Sequence, residues 1–459
     1  MTKKHDTLWS PGSRPDPRMM AYTVGDDREV DARLLRWDVI GSLGHVEALA
    51  RGRVISTRER GRLRRALLAA LKAVDGGKLT IEPAHEDVHS AVEFWLTRHF
   101  GDAGERIHAG RSRNDQVVTD IRLALKYDVL ALHGLMTDLA DTLLDFAREH
   151  RRTVWPGYTH QRIAMPSSGG MWAAAYAEGL LDAVDAVLGF WPRLDRSPLG
   201  SAAGYGVPLP LAREAAAKAL GFAGIDQVVT TTQNARGQLE AQVLFWCAGA
   251  AHECAKLSTD VILFSSDEFG WLMLPPEWST GSSIMPQKRN PDVFELTRAR
   301  AAALEGDLAT VMALKGKLAG GYHRDFQLLK APLWRGVDRT REMLTMLDAA
   351  LPHLGVDAAR GFAALRNEVF ATDEVMRRVR GGTPFRVAYR DVSAALKRGD
   401  AMPVASAAAL AAARSSTGAM GNLPLGSLAQ RVRRARRWQR SEAGRFERAL
   451  ARLTAARQR

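Results

Sequence analysis

From Val118 to Phe146 the chain reads VTDIRLALKYDVLALHGLMTDLADTLLDF, and this stretch decides the fold class. Apolar residues recur at Val118, Ile121, Leu125, Val129, Leu132, Met136, Leu139, Leu143 and Phe146, in steps of three and four. That spacing lays one apolar stripe along a helix of about 30 residues, roughly 45 Å long. Similar patterns run through residues 171–188, 238–264, 293–314 and 333–351, and strand-like alternation is nearly absent. Helices of this length cannot stand alone in water, so their stripes must bury against one another. The expectation is an all-α protein. The stripes themselves read as core and carry no chemistry.

Outward from this bundle, glycines interrupt the chain at 101–110, and a Gly/Pro break falls at 381–384. These divide the chain into a small N-terminal helical domain (1–109), a central long-helix bundle (110–358) and a C-terminal helical domain with an arginine-rich tail (359–459). A length of 459 residues accommodates three domains at roughly 150 residues each. With 46% hydrophobic and 25% charged residues the chain can fill a large core, and disorder is not indicated. Met1 to Pro17 is polar and Pro-rich, no apolar run has membrane-spanning length, and the expected location is the cytoplasm. Cys247 and Cys254, seven residues apart on one helix, would lie about 10 Å apart, beyond disulfide reach. They read as buried, inert thiols.

The net charge of +13 raises the possibility of nucleic-acid binding. Its distribution argues against that reading. Ser427 to Arg459 holds eleven arginines against two glutamates, so most of the excess sits on one basic C-terminal helix. Such a helix reads as a solvated face or an attraction for anions, and a small-molecule substrate is the expected partner.

Chemistry concentrates in Gly281-Ser282-Ser283-Ile284-Met285-Pro286-Gln287-Lys288-Arg289-Asn290-Pro291-Asp292. A glycine and two serines form a loop that enters a helix, with Asn290 reading as N-cap and Pro291 as first helical residue. Lys288 and Arg289 stand before that helix start, whose free amides and dipole already favour anions. The segment can hold a carboxylate beside a serine hydroxyl.

It also resembles the signature Gly-Ser-Ser-X-Met-Pro-X-Lys-X-Asn-Pro of the fumarase/aspartase superfamily. His108-Ala109-Gly110-Arg111-Ser112-Arg113-Asn114-Asp115-Gln116 is similar to the first signature region in its argininosuccinate lyase version, and Pro156-Gly157-Tyr158-Thr159-His160 to the second. Glu86-Asp87-Val88-His89, Ser197-Pro198-Leu199-Gly200, Tyr322 to Lys330 and Pro384-Phe385-Arg386 extend the likeness to argininosuccinate lyases from about Leu8 to Arg390.

The resemblance implies a homotetramer with a shared multi-helix core, whose active sites each draw on three chains. It implies cleavage of argininosuccinate to arginine and fumarate by β-elimination, with no metal and no organic cofactor. Ser282 would be the base, with Ser283 the alternative. His160 would be the acid, Glu295 its carboxylate partner, and Lys288 and Asn290 the stabilisers of the carbanion. Arg113, Asn114 and Thr159 would hold the succinyl end, and Ser283, His89, Arg236, Tyr322, Gln327 and Lys330 would complete the substrate-binding set. His85, Glu86 and His89 lack a full metal-ligand set.

The fumarate-forming half of the pattern is intact, whereas the amine-binding half departs from it. Gly25-Asp26-Asp27 replaces a serine-bearing stretch, and Asn234-Ala235-Arg236-Gly237 lacks two acidic side chains of the usual Ser-(Asp/Glu)-Arg-Asp. Arg162 and Met165 stand where glutamines are usual, and Tyr389 where histidine follows Pro-Phe-Arg. Two further readings therefore stay open: a same-fold lyase releasing fumarate from another N-substituted aspartate, and a catalytically silent protein on this fold.

Overall fold

The computed structural model describes residues 16–455. Most of the polar N-terminal stretch read from the sequence lies outside these residues, as do Arg457 and Arg459 of the basic tail. The fold is all-α. Its longer elements are α1 (Leu35–Arg51), α2 (Thr57–Asp75), α3 (Val88–Phe100), α4 (Arg113–Glu149), β1 (Val154–Thr159), β2 (Arg162–Ser168) and α5 (Gly169–Ala186). These are followed by α6 (Gln238–Phe264), β3 (Thr280–Gly281), β4 (Arg289–Asn290), α7 (Asp292–Lys315), α8 (Lys330–Ala350), α9 (Ala371–Arg380), α10 (Phe385–Lys397) and α11 (Leu425–Thr454). Among the described residues, no helix is long and apolar enough to cross a membrane.

The helix read from 118–146 is longer than its stripe, at 37 residues. A capping box starts it: the Ser112 side chain accepts from the Asn114 N–H (3.3 Å), and Asp115 accepts from the Ser112 N–H (3.0 Å). All nine stripe residues are buried. So are Leu123, Leu130, Leu144 and Ala147 on its other faces, because α1, α5, α8 and α11 surround the helix rather than cover one side. The remaining long helices start and stop within three residues of the expected positions, and α6 matches at both ends. Close approach of α8 to α6 depends on Gly336, where an added Cβ would sit 2.3 Å from Leu244 Cδ2.

One continuous core runs from α1 to α8 and recruits α11 through Leu428, Val432, Phe446 and Leu453. A second, smaller core gathers Phe370, Val375, Ala388, Val392, Met402 and Leu410 around α9 and α10. Cys247 and Cys254 are free and buried, and burial pushes both thiols up to about 12.

The basic helix α11 is not simply a solvated face. Arg431 and Arg434 pair with Asp185 (2.8 and 3.2 Å), and Arg436 pairs with Asp138 and Asp141 (2.8 Å each), so part of the charge is met by α4 and α5. At the other end, Arg445 and the fully buried Lys126 of α4 share Asp195. Lys126 Nζ lies 2.5 Å from that carboxylate and 2.6 Å from the Gly221 carbonyl, between the rings of Phe222 and Phe446. Burial pushes Lys126 down to about 8 against the pull of Asp195. Asp195→Ala would leave buried Lys126 without a carboxylate and Arg445 with Glu442 alone. We expect a loss on the order of 3 kcal/mol in chemical denaturation, and a change within error of zero would show that the pair does not hold α11 in place.

Candidate active site

A cleft of about 740 Å³ opens where the starts of α3 and α4 face residues 322–330 and 27–31. Seven of the expected substrate-binding residues line it: His89, Arg113, Asn114, Arg236, Tyr322, Gln327 and Lys330. Arg113, Lys330, Gln327 and Arg236 are each fixed by a partner. Arg113 donates to Glu86 (3.0 Å) and to Asp87 (2.8 Å), the N-cap of α3. Lys330, first residue of α8, is buried between Asp27 (2.7 Å) and Asp31 (2.5 Å). Gln327 donates to the carbonyls of Thr23 and Val24, at 3.0 Å each. Arg236 is buried against Glu240 (3.3 Å) and the face of Phe326, 5.1 Å to the ring centroid.

The altered Asn234–Gly237 stretch has a structural logic. Asn234 Oδ1 accepts from the Gly321 N–H (2.9 Å) and so pins the loop carrying Tyr322. Glu240, one turn into α6, supplies Arg236 with the carboxylate that the neighbouring positions lack. Gly237 takes a φ of +78°, and a Cβ there would meet Lys315 Cβ at 2.5 Å.

Under the cleft floor His89 Nδ1 bonds to Asp38 Oδ2 at 2.9 Å, with Asp120 Oδ2 3.8 Å away. Burial opposes charge on the imidazole, but the carboxylates of Asp38, Asp87 and Asp31 together hold His89 above its ordinary range. Asp120, desolvated beside Asp38, is pushed well up. One ligand atom each from Asp38, His89 and Asp120 falls within 4.8 Å of the others, the arrangement among the described residues that could take a metal ion. The charge of buried Arg111 already acts on both carboxylates from nearby.

The catalytic candidates stand elsewhere on the chain. Thr159 and His160 occupy the tip of the β1–β2 hairpin, where Thr159 pairs with Arg162. His160 and Gln161 both take positive φ, 52° and 55°, as a two-residue type I′ turn requires. This conformation is unfavourable for side chains other than glycine, though histidine enters it more readily than most. Among the described residues the hairpin is one of four two-stranded pairs in an otherwise helical fold. Pro156 cannot continue a helix, and Trp155 stacks on Trp271 at 5.8 Å, anchoring the hairpin base. Thr159 and His160 are exposed.

Ser282, Ser283 and Lys288 lie in a loop closed by pairing of Thr280 with Asn290 and Gly281 with Arg289. Ser282 Oγ accepts from the N–H groups of Ile284 (3.3 Å) and Met285 (3.2 Å). Asn290 is not the N-cap of α7. Its backbone is committed to the β3–β4 pair, its amide donates to Thr280 Oγ1 (3.3 Å), and Pro291 takes the cap position. Glu295 is exposed on the first turn of α7. Neither this loop nor the hairpin tip lines the cleft.

Sequence reading did not name Asp31, Glu93, His108 or Arg324 as site residues, and saw Asp27 only as a departure from pattern. All five line the cleft; His108 and Arg324 fall within family-like segments, whereas Asp27, Asp31 and Glu93 are brought there by the fold alone. Burial pushes His108 down to about 4 and Glu93 up, and pushes Asp27 from 3.8 to about 6 against the pull of Lys330.

A cleft rich in paired charges on a long-helix scaffold matches an established class. Residues 14–306 match the family described as Lyase. A class II fumarase from Schistosoma mansoni shares the fold, with a TM-score of 0.70 over 85% of this chain and 91% of that one at 17% identity. So does an EDDS lyase solved with formate, with a TM-score of 0.80 over 96% of both chains at 21% identity. Sequence carries the assignment further: the argininosuccinate lyase of Sorangium cellulosum is 44% identical over 93% of this chain and 98% of its own length. The chain belongs to the argininosuccinate lyases within that family and is a carbon–nitrogen lyase.

The raised carboxyl of Asp27 gives a signed pH effect. The folded chain keeps this proton up to about pH 6, where the unfolded chain has already lost it. The stability it contributes is complete below the unfolded value and lost as pH rises through 6. Relative to Asp27→Asn, the wild-type melting temperature should fall between about pH 4 and about pH 7. Parallel melting curves for the two proteins would show that Asp27 titrates normally.

Proposed function

We propose that this lyase cleaves argininosuccinate to arginine and fumarate, the last step of arginine biosynthesis, in the cytoplasm. One observation carries the reading: the cleft presents both signs of charge, with Asp27, Asp31, Glu86, Asp87 and Glu93 set among Arg113, Arg236, Arg324 and Lys330. A simple dicarboxylate calls for cations alone. A substrate bearing carboxylates, an ammonium and a guanidinium calls for this alternation.

In the proposed elimination Ser282, as alkoxide, takes the proton from the carbon beside the succinyl carboxylate. The electron pair left on that carbon forms the double bond of fumarate as the carbon–nitrogen bond breaks. His160 delivers a proton to the departing nitrogen, with Glu295 as its carboxylate partner. Lys288 and Asn290 stabilise the carbanion, whose charge spreads onto the carboxylate. The two backbone N–H groups aimed at Ser282 Oγ favour its anionic form, which supports its choice over Ser283. Arg113, Asn114 and Thr159 hold the succinyl end in this reading.

Neither the hairpin tip nor the serine loop lines the cleft of its own chain, which supports a homotetramer in which several chains contribute to each site. Exposed apolar side chains on the three long helices support it: Phe245 and Leu263 on α6, Leu296 and Met312 on α7, and Met346 on α8. The division at 109 and 358 belongs to the same proposal, as does the absence of a nucleic-acid partner, supported by the paired arginines of α11. A second reading, release of fumarate from another N-substituted aspartate, is favoured by Asn234, which binds the chain's own backbone rather than facing the cleft.

Ultraviolet absorbance of fumarate tests both readings. Argininosuccinate should give fumarate, and none from it alongside turnover of another N-succinyl amine would establish the second. Ser282→Ala should slow turnover by about 10²–10⁴-fold with assembly intact. Mixing inactive Ser282→Ala with inactive His160→Asn should restore part of the activity, and mixed assemblies that stay dead would rule out shared sites. Phe245→Glu, at an exposed apolar position, should shift the mass measured by light scattering towards smaller species and abolish turnover. An unchanged mass would remove α6 from the interface.

A further inference from the structure

Away from the substrate cleft, a groove of about 670 Å³ runs between α1, α2, the short helix Arg213–Ala219 and the end of α11. Its charged lining is Arg51, Arg60, Arg64, Lys218 and Arg452, with Glu47 the one carboxylate. Glu47 is already spent: Arg60 grips it through both oxygens, at 2.9 and 2.7 Å. Arg64 donates to the Ala455 carbonyl at 2.7 Å. Among the described residues, Arg51, Lys218 and Arg452 have no carboxylate partner. Elsewhere on α11, Arg431, Arg434, Arg436 and Arg445 meet aspartates of other segments, while Arg433, Arg437, Arg440 and Arg448 are exposed. Thr57, the first residue of α2, also faces the groove, so the positive end of that helix adds to the same potential.

We propose that this groove is a second binding site, for a small anion carrying three or more negative charges. Its cations come from segments far apart in sequence, so no local run of basic residues accounts for their convergence. Unfilled, they repel one another; an anion bound among them reverses the sign of that energy. Guanidinium groups suit the paired oxygens of phosphate or carboxylate, and the alanine methyls between them leave room for a compact ligand. The volume falls within roughly 300–1,000 Å³, the range of small-molecule sites. None of these residues lines the substrate cleft, so the site is separate from the one proposed for catalysis.

The test is calorimetric titration of the full chain with inorganic triphosphate and, separately, with citrate, at physiological ionic strength. Saturable submillimolar binding of triphosphate would assign the site to phosphates, and of citrate alone to carboxylates; either supports the proposal. Charge reversal of two exposed residues, Arg51→Glu with Lys218→Glu, should weaken that binding by more than about tenfold. Arg452→Gln should weaken it independently, and Arg51→Lys should retain it. Fumarate release without added anion should be unchanged in all of these variants. Saturation by neither anion, or equal affinity in the charge-reversed protein, overturns the proposal.

Discussion

The carboxylate of Asp115 holds the site together. It is buried, and it accepts from three backbone N–H groups: Ser112 at 3.0 Å, and Gly200 and Ala202 at 2.9 Å each. The first bond closes the capping box at the start of α4, whose opening amides would otherwise lack partners. The other two bring the loop after Ser197 against that start. Burial pushes the Asp115 carboxyl up while the N–H groups pull it back, so its partners offset part of the cost of placing a carboxylate there. Arg113 and Asn114 project from the turn this residue fixes. Through Arg113 the geometry passes to Asp87, which caps α3 in turn. Two helix starts are thereby locked to each other by one ion pair, and the cleft is the space they define.

Periodicity made the long helices legible because α4, α6, α7 and α8 each bury a stripe, and a stripe leaves its period in the sequence. It did not show that α4 is enclosed on several faces, since Asp120, Arg122, Lys126 and Asp128 look like solvent-facing residues until their partners arrive from distant segments. The β1–β2 hairpin escaped notice for a related reason. Its six- and seven-residue strands are held by a tryptophan stack contributed from residue 271, far along the chain. Asn290 misled because its sequence neighbours fit a cap, whereas pairing with Thr280 decided its conformation. Motifs named seven of the cleft's side chains. Acidic residues such as Asp27 and Asp31 follow no motif and enter the site only through the fold.

The cleft is electrostatically satisfied within the chain itself. Each of Arg113, Arg236 and Lys330 already has a carboxylate, and the His89 imidazole beneath them is bonded to Asp38. An isolated buried charge would cost far more than these pairs do. Ligand binding in such a cleft is an exchange of partners, in which a substrate carboxylate competes for a cation and a substrate cation takes the released acid. That exchange favours ligands carrying both signs at the right spacing, and it rejects those that would leave one member of a pair alone.

The same logic separates what one chain can do from what it cannot. The charged groups of the cleft are gathered on the chain with their partners in place, so the cleft is assembled by tertiary structure. The proton-transfer candidates are not: His160 projects from a hairpin tip, and Ser282 from a short loop whose contacts are mostly with itself. A histidine held at positive φ, at the end of a hairpin whose base is stacked on buried tryptophans, is an expensive way to present a side chain to water. It is an effective way to present one to a neighbouring molecule, because the turn projects the imidazole beyond the surface while the rings below keep its direction. If chains meet through the apolar faces of α6, α7 and α8, acid and base are supplied to a cleft that has already selected its ligand. Chemistry then becomes conditional on assembly, and an isolated chain could bind without reacting.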